Sequence, residues 1–348
     1  MRGNHGLENE PVFSSSVASS YRAPAWLPGG HLQTLYAALA APRPRVAYRR
    51  ERWETPGGDF IDLDWLHQTG IGTSARIAPG NIWDIPPLVV LFHGLEGCST
   101  SHYAHALMSH VARTGWHGVV VHFRGCSGEP NRLPRAYHSG DSAEIDWILQ
   151  RLAKLQGGPV HTVGVSLGGN ALLKWLGEHG TDAVQFVRAA ATISPPVDLM
   201  AAGAALGRGF NLIYTHAFLR TLKRKSLAKL ARHPDLYDPR LVRRASTLRA
   251  FDDIVTAPLH GFRNTDDYWT RASSKPWLSS VAVRTLVLNA RNDPFLPASA
   301  LPAREHVAAA VVLEQPSDGG HVGFVSGRPP GNLDWLPQRI IRFFGAGH

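Results

Sequence analysis

Cysteine is almost absent from this chain. Only Cys98 and Cys126 occur in 348 residues. Two cysteines do not make a disulfide scaffold, and no Cys-x-x-Cys pair suggests a zinc site. His102 and His105 lack the His-Glu-x-x-His pattern of a metal hydrolase. No run approaches the roughly 20 apolar residues that span a bilayer. Residues 1–20 contain no continuous apolar stretch of the secretory-signal type. No internal repeat is present. These absences predict a cytoplasmic protein with reduced thiols and no metal. The chain carries 36 Lys and Arg against 27 Asp and Glu, a formal charge of +9. The excess is spread through the sequence, mostly as arginine. No helix-turn-helix, zinc-finger or RNP-type pattern accompanies it, so no nucleic-acid partner is expected. Nothing specifies an oligomeric state.

What is present is an alternation of apolar runs and helical stretches. Residues 46–54 and 59–66 are strand-like and flank Pro56-Gly57-Gly58, which predicts a β-hairpin. Residues 87–92, 116–123, 160–165, 187–193, 283–288 and 308–314 read as strands buried on both faces. Helices are predicted from Asp141 to about Leu155, over 170–178 and over 336–344. Asp141 and Glu144 have capping-box spacing, which gives Asp141 a structural role. This alternation predicts an α/β fold with a mostly parallel central sheet and helices on both faces. Residues 197–274 interrupt the rhythm. They read as a helical lid or cap inserted before the strand that ends at Leu288, within a single domain spanning 1–348.

Gly164-Val165-Ser166-Leu167-Gly168 matches G-x-S-x-G. The match is short, but an apolar strand precedes it and a helical stretch follows. That is the setting a nucleophile elbow requires, where small neighbours let the chain bend sharply around the serine. A serine hydroxyl is a weak nucleophile and needs a base. In this arrangement the order is serine, acid, histidine. His321 lies in Gly319-Gly320-His321-Val322-Gly323 after the last predicted strand, and is singled out from 18 histidines by that context. Asp293 follows the penultimate strand and is preferred as the acid over Asp318, which lies three residues before His321. An oxyanion hole needs backbone N–H donors. Leu167, next to the serine, and Leu95, in His93-Gly94-Leu95-Glu96-Gly97, are assigned that role. His93 is read as a structural hydrogen-bonding residue.

These motifs together resemble the YheT-like branch of the α/β-hydrolases, which is related to the ABHD lipid-ester hydrolases and to yeast ester-forming acyltransferases. The resemblance covers nearly the whole chain. It includes Pro24-Ala25-Trp26-Leu27-Pro28-Gly29-Gly30-His31-Leu32-Gln33-Thr34 and His122-Phe123-Arg124-Gly125-Cys126-Ser127-Gly128. It continues through Asn292-Asp293-Pro294-Phe295 and Gly320-His321-Val322-Gly323-Phe324. It implies the α/β-hydrolase fold, hydrolysis of short- to medium-chain acyl esters or monoacylglycerols, and no cofactor. The family often has Asp-Asp-Pro at the acid position, whereas this chain has Asn292 there. His31 and Gln33 receive no role beyond the motif.

The implied chemistry is two-step acyl transfer through Ser166, with His321 as base and Asp293 as its orienting acid. Two other classes share these residues or this fold. An alcohol O-acyltransferase uses the same acyl-enzyme, and a non-enzymatic binding protein keeps the fold alone. An epoxide or haloalkane hydrolase is disfavoured, because those chemistries place a carboxylate at the elbow. Residues 216–232 form a basic amphipathic stretch. It reads either as a weak contact with an anionic membrane surface or as a lid helix with its charges in water, the second being preferred.

Overall fold

The computed structural model describes residues 21–67 and 85–346. The expectation for residues 1–20 therefore lies outside the described residues. The strands are β1 (Tyr48–Glu54), β2 (Phe60–Leu66), β3 (Leu88–Phe92), β4 (His117–His122), β5 (Val160–Val165), β6 (Val187–Ile193), β7 (Thr285–Leu288) and β8 (Val311–Glu314). Among the described residues they form one eight-stranded sheet in the order β1-β2-β4-β3-β5-β6-β7-β8. The hairpin β1–β2 is antiparallel and meets β4 antiparallel, and every later pairing is parallel.

The helices are α1 (Gly30–Leu39), α2 (His102–Arg113), α3 (Ser142–Gln156), α4 (Leu167–His179), α5 (Leu199–Leu206), α6 (Leu212–Lys229), α7 (Pro239–Arg244), α8 (Leu248–Phe251), α9 (Ala257–Leu259), α10 (Thr265–Ala272) and α11 (Trp335–Gly345). Strand side chains alternate between faces. Val90 and Phe92 of β3 pack with Ile145, Ile148 and Leu149 of α3 and with Leu172 and Leu176 of α4. Val89 and Leu91 pack on the other face, with Leu107 and Met108 of α2 and Ile340 and Phe344 of α11. All five β3 side chains are buried, which accounts for a continuous apolar run rather than an alternating one.

The α3 capping box is corrected. Asp141 is the N-cap residue, but its carboxylate caps no backbone N–H. It pairs with Arg135 instead, and Glu144 accepts from Arg124 Nε at 2.5 Å. Charge-assisted bonds to guanidinium outcompete neutral backbone donors.

Between β6 and β7 the chain runs through α5 to α10, and a turn of π-helix at Asp252–Thr256 joins α8 to α9. None of the described helices is long and apolar enough to cross a membrane. Asp252 accepts from Thr256 Oγ1 at 2.6 Å and from Trp269 Nε1 at 2.9 Å. Burial raises its pKa to about 6, against the opposite pull of those two hydrogen bonds. A carboxyl raised on folding contributes most when it is protonated in both states. Its contribution relative to Asp252→Asn is therefore fully present below pH ~4 and is lost as pH rises through about 6. Urea unfolding of both proteins between pH 4 and 7 measures this, and a pH-independent difference would contradict it.

Candidate active site

Ser166 stands where β5 ends and α4 begins, with φ 51° and ψ −118°. Such a backbone costs about 1–3 kcal/mol and persists only where the surroundings over-determine it. The glycines of the motif show what does so. A Cβ on Gly164 would lie 2.6 Å from Gly169 Cα, and one on Gly168 would lie 2.5 Å from the carbonyl oxygens of Phe92 and His93. The bend thus packs backbone directly on backbone. The N-terminus of α4, with its positive dipole end, points at the serine.

His321 Nε2 lies 2.9 Å from Ser166 Oγ. His321 Nδ1 lies 2.9 Å from Asp293 Oδ2 and 3.2 Å from Oδ1. The Asp293 side chain is fully buried, and its Oδ1 also accepts the Phe295 N–H at 2.8 Å. A carboxylate at Nδ1 selects the tautomer protonated there, which leaves Nε2 to accept the serine proton. The Phe295 ring stacks on the imidazole with centroids 4.0 Å apart. Asp318, the alternative acid, accepts instead from Asn292 Nδ2 at 3.1 Å.

The loops that carry Asp293 and His321 are tied together by α1. Gln33 is fully buried. Its Oε1 accepts the Gly319 N–H at 2.8 Å and the Asn292 amide at 3.0 Å, while its Nε2 donates to Leu27 O at 3.1 Å. Thr34 Oγ1 accepts the His321 N–H at 2.8 Å, and Asn292 Oδ1 accepts the Gly320 N–H at 2.9 Å. Asn292 donates to both Gln33 and Asp318, which an aspartate at this position would not do when ionised. The departure from Asp-Asp-Pro therefore fits this network. No periodicity connects residue 33 with residue 319, so the roles of Gln33 and Thr34 were not readable from the sequence. His31 packs on the segment that opens α6, 3.2 Å from Tyr214 Oη and edge-on to Phe210.

After β3, Gly97 N–H donates to Gly94 O at 2.9 Å and closes a turn over residues 94–97. Gly94 N–H donates to Tyr103 Oη at 3.0 Å and Glu96 N–H to Tyr137 Oη at 2.9 Å. Neither the Leu95 nor the Leu167 N–H has an acceptor among the described residues. His93 donates from Nδ1 to Gly94 O at 2.7 Å and accepts the Phe123 N–H at Nε2 at 3.1 Å. Burial lowers its pKa to about 3, so it is a neutral brace for the turn.

Ser166, His321, Leu95 and Leu167 all border a cavity of about 610 Å³. Its walls come from α5, α6, the π-turn and α10, including Leu199, Leu206, Phe218, Leu222, Val255 and Trp269. Cys126 also lines it. Burial pushes that thiol up to about 12, which keeps it protonated and poorly nucleophilic. The basic stretch 216–232 is only partly solvated. Arg220 and Arg224 are exposed, but Lys225 turns inward to Glu96 at 2.9 Å. Lys229 donates to Asn131 Oδ1 at 2.8 Å and to the carbonyls of Leu133 and Arg135, and burial lowers its pKa to about 8. The expectation that these charges lie in water fails for the two lysines, which find oxygen acceptors at the cavity wall.

A buried sheet, a strained serine at its centre and a histidine–carboxylate pair after the last strands define the α/β-hydrolase class. A family model described as the alpha/beta hydrolase fold matches residues 87–327, and the chain belongs to that family. Within it the chain belongs to the YheT-like branch. It is 38% identical to YheT of Escherichia coli (strain K12), over 89% of this chain and 88% of that one. It is 31% identical to the phospholipase ABHD3 of Mus musculus, over 95% and 79%. It is 26% identical to a monoacylglycerol lipase of Saccharomyces cerevisiae (strain ATCC 204508 / S288c), over 92% and 79%. The solved Pyrococcus furiosus esterase Pf2001 shares the fold at a TM-score of 0.53 and 14% identity, over 86% of this chain and 91% of that one.

The Gln33 network makes a quantitative expectation. Gln33→Leu leaves the Gly319 N–H, the Leu27 carbonyl and the Asn292 amide short of a buried partner. It should lower the unfolding free energy by on the order of 3 kcal/mol. Urea denaturation of the two proteins checks this, and a change below about 0.5 kcal/mol would show that the network bears no weight.

Proposed function

We propose that this chain is a serine hydrolase of carboxylic esters, acting on short- to medium-chain acyl esters or monoacylglycerols. The observation that carries the reading is the unbroken hydrogen-bonded chain Asp293–His321–Ser166, with both links at 2.9 Å, beside two unpaired amides. Ser166 Oγ attacks the ester carbonyl carbon while His321 Nε2 takes its proton. Asp293 stabilises the imidazolium that forms. The carbonyl oxygen gains negative charge between the Leu95 and Leu167 amides, where preorganised donors lower the barrier most. His321 then protonates the leaving alcohol, whose C–O bond breaks, and an acyl-enzyme remains. Water, deprotonated by His321, attacks that acyl-enzyme and releases the acid and free Ser166.

The cavity supports this substrate class. A volume of about 610 Å³ with mostly apolar helix residues on its walls suits an alkyl chain. The helices between β6 and β7 act as the lid over that chain. The names of two relatives, a phospholipase and a monoacylglycerol lipase, support an acyl ester as substrate.

Turnover of a p-nitrophenyl ester series from acetate to palmitate tests the reading. Ser166→Ala should lower kcat by on the order of 10⁴ or more. Each methylene buried contributes about 0.8 kcal/mol, so kcat/KM should rise up to ~4-fold per methylene until the cavity is full, then fall. Near-wild-type turnover by Ser166→Ala would remove the reading. Ester formation outpacing acid release when ethanol is added would convert it to an acyltransferase.

A further inference from the structure

The turn that presents the Leu95 amide is not self-supporting. Glu96, the next residue, has φ 56°, in the left-handed region that favours glycine. Non-glycine residues hold that conformation where neighbours fix them. Here Tyr137 Oη accepts the Glu96 N–H at 2.9 Å, and the remaining fixing groups act on the Glu96 side chain. Tyr137 Oη donates to Glu96 Oε1 at 2.9 Å, and Lys225 Nζ donates to the same oxygen at 2.9 Å. The Glu96 side chain is only 8% exposed. Lys225 arrives from α6, 129 residues further along the chain, and also approaches Cys126 Sγ at 3.6 Å. Without Lys225, a nearly buried carboxylate would lose its countercharge. It would protonate or swing to solvent, and the Leu95–Glu96 peptide would move with it.

We infer that Lys225 is a positioning residue that acts through Glu96 to hold the Leu95 amide in the geometry that binds the oxyanion. The inference rests on the serine-hydrolase reading above. It makes the seating of α6 and the completion of the oxyanion site one event. Lys225 touches no reacting atom in this role.

The test uses the full chain and compares Lys225→Met, Lys225→Arg, Glu96→Gln and the Lys225→Met/Glu96→Gln double variant. Readouts are kcat and KM on the preferred p-nitrophenyl ester, and the inhibition constant of an alkyl trifluoromethyl ketone. That ketone forms a serine adduct bearing an oxyanion. Lys225→Met should lower kcat roughly 10- to 100-fold with KM within about twofold. It should weaken the ketone by the same factor as kcat/KM. Lys225→Arg should recover most of the loss, and the double variant should be little worse than either single one. Glu96→Gln carries the test if Lys225→Met fails to fold, because it removes the charge and keeps an acceptor for Tyr137. A rise in KM alone, with the ketone unaffected, overturns the inference, as does wild-type kcat in both Lys225→Met and Glu96→Gln. Absence of Ser166-dependent turnover in the wild type overturns the hydrolase reading and this inference with it. Serine-dependent turnover with unchanged variants overturns this inference only.

Discussion

The close approach of the end of β3 to the start of α4 is the constraint on which the site depends. Gly168 rests on the carbonyl oxygens of Phe92 and His93, with no room for a methyl group between them. Backbone on backbone leaves nothing that can adjust by changing rotamer. The separation of the turn after β3 from the start of α4 is therefore set by covalent geometry and hydrogen bonds alone. Donors to a developing oxyanion must stand about 3 Å from it, so such stiffness is what the proposed chemistry requires. The strain at Ser166 is a consequence, since a relaxed serine would need a wider bend.

The acid- and histidine-bearing loops are held by another means. They follow β7 and β8, near the sheet edge, where fewer strands confine them. Val322 and Phe324 both have positive φ, costly for side chains of their shape. Polar side chains replace the missing backbone packing. Gln33 and Thr34 hold the loop from α1, Ser194 Oγ accepts the Val322 N–H at 3.1 Å, and His102 Nε2 donates to the Val322 carbonyl at 3.0 Å. His102 is buried, which lowers its pKa to about 4 and keeps it a neutral donor.

How much of this was legible in the sequence follows from the range of each interaction. The central strands were legible because burial on both faces demands continuous apolar residues, and β5 and β6 match their expected limits. The strands leading to the acid and the histidine are shorter than their apolar runs. Val283 is buried, but ladder pairing starts only at Thr285. Ser166, Asp293 and His321 were legible because chain order and local glycines mark them, and the structure brings the three together. Helices α1 and α2 were not expected. Gly29-Gly30 offers no capping side chain to α1, and Ser101 caps no backbone N–H of α2, so neither start was marked even though Ala104, Leu107, Met108 and Val111 have helical spacing. The capping box failed because Arg124 and Arg135, both outside the helix and invisible to its local spacing rule, bind its carboxylates.

Charge was the property least readable from composition. A lysine in a basic amphipathic stretch looks solvated, because burying an ammonium is costly. Lys225 and Lys229 are half-buried all the same, each with its Nζ on oxygen acceptors from the β3, β4 and α3 side of the cavity. For Lys225 the acceptor is an ion. Burial works against its charge, but the Glu96 carboxylate beside it outweighs that and holds its pKa above the usual lysine value. The helix that roofs the cavity is thus attached to the turn beside Leu95 by a group whose desolvation is compensated only while both parts are in place. An apolar contact there would tolerate sliding; an ion pair with one short geometry does not. Helix α6 and the turn after β3 are bound to a common register for that reason.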